Sequence, residues 1–118
     1  MNHWIFAGSS IRPKYIRIIN VLNDYICSSS NVTLEQLKGK SRKRNIVQAR
    51  QLCMYMLNRN TRMTSAEIAG IYNKDRTTAL HSVKCIKNDM LHDSDLMNYT
   101  IELKRELAYY RNRSKFNR

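Results

Sequence analysis

Residues 64–90, TSAEIAGIYNKDRTTALHSVKCIKNDM, decide the fold. Thr64 is of the type whose side-chain oxygen satisfies a free amide at a helix start, and it opens a short helix predicted over 65–72, with Ile68 and Ile71 turned inward. Asn73 and Lys74 make a very short turn, asparagine being the residue after glycine that best tolerates a left-handed backbone. Asp75 caps a longer helix over about 76–90, with Leu80, Val83, Ile86 and Met90 expected inward at steps of 3, 3 and 4. Short helix, tight turn, longer helix is the helix-turn-helix pattern.

Upstream lies KSRKRNIVQARQLCMYML, residues 40–57. It opens with a basic cluster, and apolar residues then recur at Ile46, Ala49, Cys53, Met56 and Leu57, predicting a helix over about 43–59 that sits centrally. Pro13 suits a first helical turn, and Ile16, Ile19, Leu22 and Ile26 carry that first helix to about residue 27. Thr33 caps a short second helix with Leu34 and Leu37, and Gly39 ends it. Downstream, a last helix starts near Asp93–Asp95 and is expected to bury Leu96, Leu103, Leu107 and Tyr110. The expectation is an all-α compact bundle of about six helices forming one domain over 11–110, its helix-turn-helix at about 64–90. Residues 1–10 form an arm whose Trp4 and Phe6 dock on the core, and 111–118 form a mobile basic tail.

A chain of 118 residues buries about two-thirds of its unfolded surface, and 42% hydrophobic residues supply a core. Three Gly and one Pro leave little for β-turns or a glycine-rich phosphate loop, which argues against sandwiches, barrels and nucleotide-binding folds. The longest apolar run, Leu52 to Leu57, is six residues, far short of the ~20 that cross a bilayer. The N-terminus has no basic residue before its short apolar patch and makes a poor secretory signal. Cys27, Cys53 and Cys85 have no paired spacing, so the reading is reduced thiols in a cytoplasmic protein without disulfides, metal or membrane contact.

Charge placement is more informative than the total of +12. Residues 36–88 carry twelve basic and two acidic groups, net +10, whereas the segments on either side carry +1 each. So concentrated a field is the footprint of a polyanion partner, most simply nucleic acid. On the longer helix, Thr77, His81, Lys84 and Asn88 follow at steps of 4, 3 and 4, a polar row able to bond base edges or grip phosphates. Arg76 and Thr78 flank that row at the N-terminal end, where the helix dipole favours phosphate.

These residues resemble a known family. The basic loop, Ala49-Arg50-Gln51 on a long helix, Glu67-Ile68, and Asp75-x-Thr77-Thr78-x-Leu80-His81 together look like the C-terminal DNA-binding domain of the bacterial chromosomal replication initiator DnaA, over about residues 13–90. The resemblance implies monomeric reading of short asymmetric sites in double-stranded DNA. Arg42 falls where the family inserts an arginine into the minor groove, and Arg50 and Gln51 fall where it contacts phosphates. Ser65 and Ala66 match the start of the first helix of the pair. Asp75, Arg76, Thr77 and Thr78 match the positions that enter the major groove, with His81 one turn on. With Lys43, Arg44, Lys84 and Lys87 as further phosphate contacts, these make up the candidate site.

The chain departs from the family in three ways. Arg76 replaces the usual His, and the turn is one residue shorter without the family's glycines, so the family's usual target sequence is not carried over. These 118 residues also hold no glycine-rich phosphate loop, so ATP switching and origin melting are not implied, and the expectation is a stand-alone DNA reader without cofactor or catalysis. His92, Asp93 and Asp95 suggest a metal site or nuclease, but capping at a helix start already explains the two aspartates. The role is replication initiation or its regulation, alongside separate replication proteins not identifiable from sequence, or else transcription control by the same binding mode. A single-strand or RNA binder would need stacking aromatics, and Tyr15, Tyr99, Tyr109 and Tyr110 lie outside the basic block.

Overall fold

The helix starts follow from side chains that accept otherwise free amides. Thr33 accepts from the Gln36 amide at 3.1 Å while Gln36 Oε1 accepts from the Thr33 amide at 2.8 Å, and Thr64 and Glu67 repeat the exchange at 3.1 and 2.8 Å. Asp75 Oδ1 accepts from the Thr78 amide at 2.9 Å and Asp93 Oδ1 from the Leu96 amide at 3.1 Å. The computed structural model describes residues 11–116, which form six helices and no strand. They are α1 (Pro13–Ser30), α2 (Leu34–Lys38), α3 (Arg44–Asn60), α4 (Ser65–Ile71), α5 (Arg76–Met90) and α6 (Ser94–Phe116). Asn31 and Asn73 adopt the left-handed conformation, φ 54° and 57°, where α1 ends and where α4 turns into α5. The all-α architecture and the placement of its helix-turn-helix agree with the sequence reading.

Helix α3 is the centre of the domain and touches each of the other five helices. Its Ala49, Cys53, Met54 and Leu57 are almost fully buried, among Ile19, Leu22 and Ile26 of α1, Leu37 of α2, Ile68 and Ala69 of α4, Ile86 of α5, and Leu103 and Leu107 of α6. Burial pushes the Cys53 thiol far above its ordinary range, so it packs as a small hydrophobe. The Tyr72 hydroxyl donates to Asn23 Oδ1 at 2.6 Å inside the core and ties the end of α4 to α1.

The structure corrects the sequence reading in three places. Leu80 is not inward but 46% exposed, and Ala79 and Ser82 are buried in its stead. Small residues let α5 lie close on α3 and α4, and the buried Ser82 hydroxyl is satisfied by the Thr78 carbonyl at 2.8 Å. The last helix does not stop near residue 110 but runs to Phe116, no glycine or proline standing in its way. Tyr110 is half-buried rather than buried, with the Arg17 guanidinium 5.8 Å from its ring centroid. The docking expected of Trp4 and Phe6 lies outside the described residues. Among the described residues, no helix is long and apolar enough to cross a membrane, and no three His, Cys, Asp or Glu side chains are grouped to hold a metal ion.

Two consequences for stability are measurable. Leu57→Ala empties a fully buried position beneath every layer and lowers unfolding free energy by about 3 kcal/mol, read from urea denaturation. The Thr64 amide and hydroxyl, with Arg12 Nη2 3.3 Å away, hold the Glu67 carboxyl below its ordinary range. Its contribution is therefore complete above the unfolded carboxylate range and is lost as pH falls through the lower folded value. Between about pH 5 and pH 3, Glu67→Gln loses less stability than the parent in thermal melts.

Candidate nucleic-acid interface

Helix α5 has one buried side and one wet side. With Ala79, Ser82 and Ile86 against the core, a period of 3.6 residues turns Thr77, His81, Lys84 and Asn88 directly outward, and all four are exposed. Arg76 and Lys87 are exposed at the edge of the same arc, and Leu80 lies between them and Lys84. The polar row read from sequence is thus on the surface, with one apolar side chain added to it.

At the N-terminal end of α5 the four carried-over positions divide. Arg76 and Thr77 are exposed. The half-buried Thr78 is engaged in the cap, its amide and its hydroxyl both donating to Asp75 Oδ1 at 2.9 Å. Those two bonds hold the exposed Asp75 carboxyl below its ordinary range, so it is ionised near neutral pH. One turn on, His81 Nε2 lies 3.2 Å from Cys85 Sγ.

The segment between α2 and α3 carries the basic cluster, and Arg42, Lys43 and Arg44 are all exposed. It has no partner strand, and cationic and amide side chains hold it instead. Arg50 Nε donates to the Leu37 carbonyl at 2.7 Å, and Nη2 to those of Gln36, Gly39 and Ser41 at 3.0, 3.3 and 3.4 Å. Arg50 is only 7% exposed, which corrects the expectation of a phosphate contact: its guanidinium is committed to the protein's own carbonyls. Gln51 and Ser65 are half-buried, at the surface of α3 and in the first turn of α4, and Ala66 is exposed.

Two residues were read from sequence only as a turn. Asn73 Nδ2 donates to the Lys38 carbonyl at 3.3 Å, and Lys74 Nζ makes a short bond to the Gly39 carbonyl. Partial burial, with Arg50 and Lys40 nearby, lowers the Lys74 pKa from its ordinary value. These bonds span 35 residues of chain, and local periodicity carries no signal for them. They join the basic segment to the turn that leads into α5: Arg42 stands three residues beyond Gly39, and Arg76 two beyond Lys74.

Residues 19–86, from α1 through the basic segment and most of α5, match the family model described as bacterial dnaA protein helix-turn-helix. The chain belongs to that family. It is 35% identical over 90 residues to the chromosomal replication initiator protein DnaA of Desulfotalea psychrophila, the match covering 76% of this chain and 19% of that protein. The DnaA of Flavobacterium psychrophilum is 34% identical over 92 residues, with 77% and 18% covered. That of Caldanaerobacter subterraneus subsp. tengcongensis is 28% identical over 92 residues, with 78% and 21% covered. The chain therefore spans about a fifth of the length of the DnaA proteins it matches.

Arg50→Met separates holding the loop from binding a polyanion. Taking the guanidinium from the Leu37 and Ser41 carbonyls, while Gln36 keeps the Gly39 amide and Gly39 keeps Lys74 Nζ, lowers unfolding free energy by about 2 kcal/mol in urea titrations. At a temperature where the variant is folded, the salt slope of its DNA binding equals the parent's, whereas a lost phosphate contact would lower its magnitude by about 0.9.

Proposed function

We propose that this chain binds specific sites in double-stranded DNA as a monomer, with α5 in the major groove and the segment around Arg42 in the adjacent minor groove. The observation that carries the reading is the union of two exposed basic elements through Asn73 and Lys74, on a chain whose residues 36–88 hold net +10. Arg76 and Thr77 read bases, Arg76 through a fork that suits guanine and Thr77 through a hydroxyl and a methyl. Asp75 and Thr78 approach the same bases while maintaining the cap, and Arg42 reads the minor groove. Lys43, Arg44, Gln51, Ser65, His81, Lys84 and Lys87 contact the backbone, as do the free amides at the start of α5.

Because the similar proteins are named chromosomal replication initiators, the binding serves replication initiation or its regulation, in the cytoplasm and without nucleotide turnover by these residues. Packing weighs against a single-strand or RNA binder. Tyr15 is buried, and Tyr99 and Tyr110 are half-buried, with Tyr25 and Tyr99 6.2 Å apart and Tyr109 and Tyr110 5.6 Å apart between ring centroids. Such rings offer few free faces for bases.

Selection from a random duplex pool tests this and recovers one asymmetric site. On that site, about six neutralised phosphates give a slope of log K against log salt near −5, whereas a slope near −1 contradicts the reading. Thr77→Val shifts base preference and keeps most non-specific affinity, while Lys84→Ala weakens binding to all duplexes alike. Identical behaviour of the two variants removes the division between readers and clamps.

A further inference from the structure

From the bonds between the turn and the basic segment, we infer that Asn73 and Lys74 are positioning residues that fix the base-pair offset between the two halves of the DNA site. The inference rests on the two-groove reading above and concerns what sets its spacing. Two reading elements separated by a flexible tether would accept sites whose halves lie at different distances. Two elements locked together accept one offset, because each added base pair moves the far half by about 3.4 Å and turns it by about a tenth of a helical turn.

The intervening helices hold α3 against α5, but the irregular residues 39–43 ahead of α3 need a tie of their own. From Arg42 to Arg76 the backbone runs through the whole of α3 and α4. The direct link is short: the Lys38 carbonyl takes the Asn73 amide, and the Gly39 carbonyl takes Lys74 Nζ on one side and Arg50 Nη2 on the other. Arg50 anchors the segment to α3, and Asn73 and Lys74 set its distance and direction from the start of α5. Both residues sit on the tight turn, with Asn73 held at φ 57°, so the donors approach from a backbone without slack. Lys74 is half-buried against the segment rather than extended into solvent, which places its ammonium in the joint.

The experiment uses the duplex recovered by selection and the same duplex with one base pair inserted between its minor-groove and major-groove halves, as mapped by footprinting. The parent protein binds the inserted duplex about 10- to 100-fold more weakly, a loss of the size of one or two mismatched pairs. Asn73→Gly with Lys74→Met removes both bonds, and glycine keeps the left-handed turn free of strain. In that variant the penalty falls below about fivefold, and Lys74→Arg, which restores a cationic donor, returns it. The ratio of the two affinities cancels any uniform loss from the missing charge, which a merely structural or electrostatic role would produce.

An undiminished penalty in the folded double variant overturns the inference. A parent protein that binds both duplexes equally also overturns the inference, whereas the two-groove reading fails separately if footprinting of the selected duplex shows no minor-groove protection that Arg42→Ala removes.

Discussion

A guanidinium enclosed by protein must find acceptors or unfold its surroundings, since an uncompensated buried charge is among the most costly defects a small domain can carry. Arg50 meets that demand with backbone carbonyls of Gln36, Leu37, Gly39 and Ser41. The need is mutual, because these carbonyls belong to the end of a five-residue helix and the irregular chain after it, where the Gly39 amide also reaches Gln36 and Lys74 Nζ also reaches Gly39 but no ladder continues to Leu37 and Ser41. One side chain thus settles the path of the segment bearing Arg42, Lys43 and Arg44. Arg50 stands on α3, which touches every other helix, so this path is referred to the whole core.

The cations of this chain fall into two populations. Arg50 and Lys74 are turned into the protein, and Arg12 is shared between the Arg62 carbonyl and Glu67 at the start of α4. Arg42, Lys43, Arg44, Arg76, Lys84 and Lys87 remain exposed. Holding cations inside has a cost, and the Lys74 pKa is lowered by partial burial first and then by Arg50 and Lys40. A net +12 on a domain this size weakens the compact state, and a polyanion on the exposed face would relieve the strain and be attracted by it. Ordering a free loop on binding costs about 1–2 kcal/mol per residue, so a segment fixed beforehand leaves more of that attraction for affinity.

Local chemistry was legible in the sequence, and packing distance was not. Thr33, Thr64, Asp75 and Asp93 cap where their side chains predict, and Asn73 takes the left-handed turn. Size is a poor guide to the register of α5: Leu80 is large, yet Ala79 and Ser82 are what fit between closely approaching helices. The position of Arg50 in its helix holds the clue to its role. Ile46, Cys53 and Leu57 are buried at steps that place residue 50 in the middle of their stripe, so a charged residue there had to be either an internal anchor or a break in the pattern. Asn73 and Lys74 could not be read this way, since their acceptors are backbone atoms 35 residues distant and backbone acceptors have no sequence signature.

The cap of α5 bears directly on which residues can discriminate bases. Thr78 gives its hydroxyl proton to Asp75 Oδ1, that oxygen already accepts two donors, and the Thr77 amide also acts on the carboxylate, which leaves the Thr78 methyl as the clearly unengaged part of the pair. Breaking either bond to reach a base would undo the helix start that aims Arg76 and Thr77, so the pair is better suited to reading shape and apolar contact than to donating. In the proposed binding mode, discrimination by hydrogen bond then falls on Arg76 and Thr77. Leu80, one turn beyond Arg76 and exposed at 46%, adds an apolar surface of the kind that favours a thymine methyl. In the proposed mode this face would set a guanine against Arg76 beside a thymine methyl against Leu80, a consequence of which side chains the cap has already occupied.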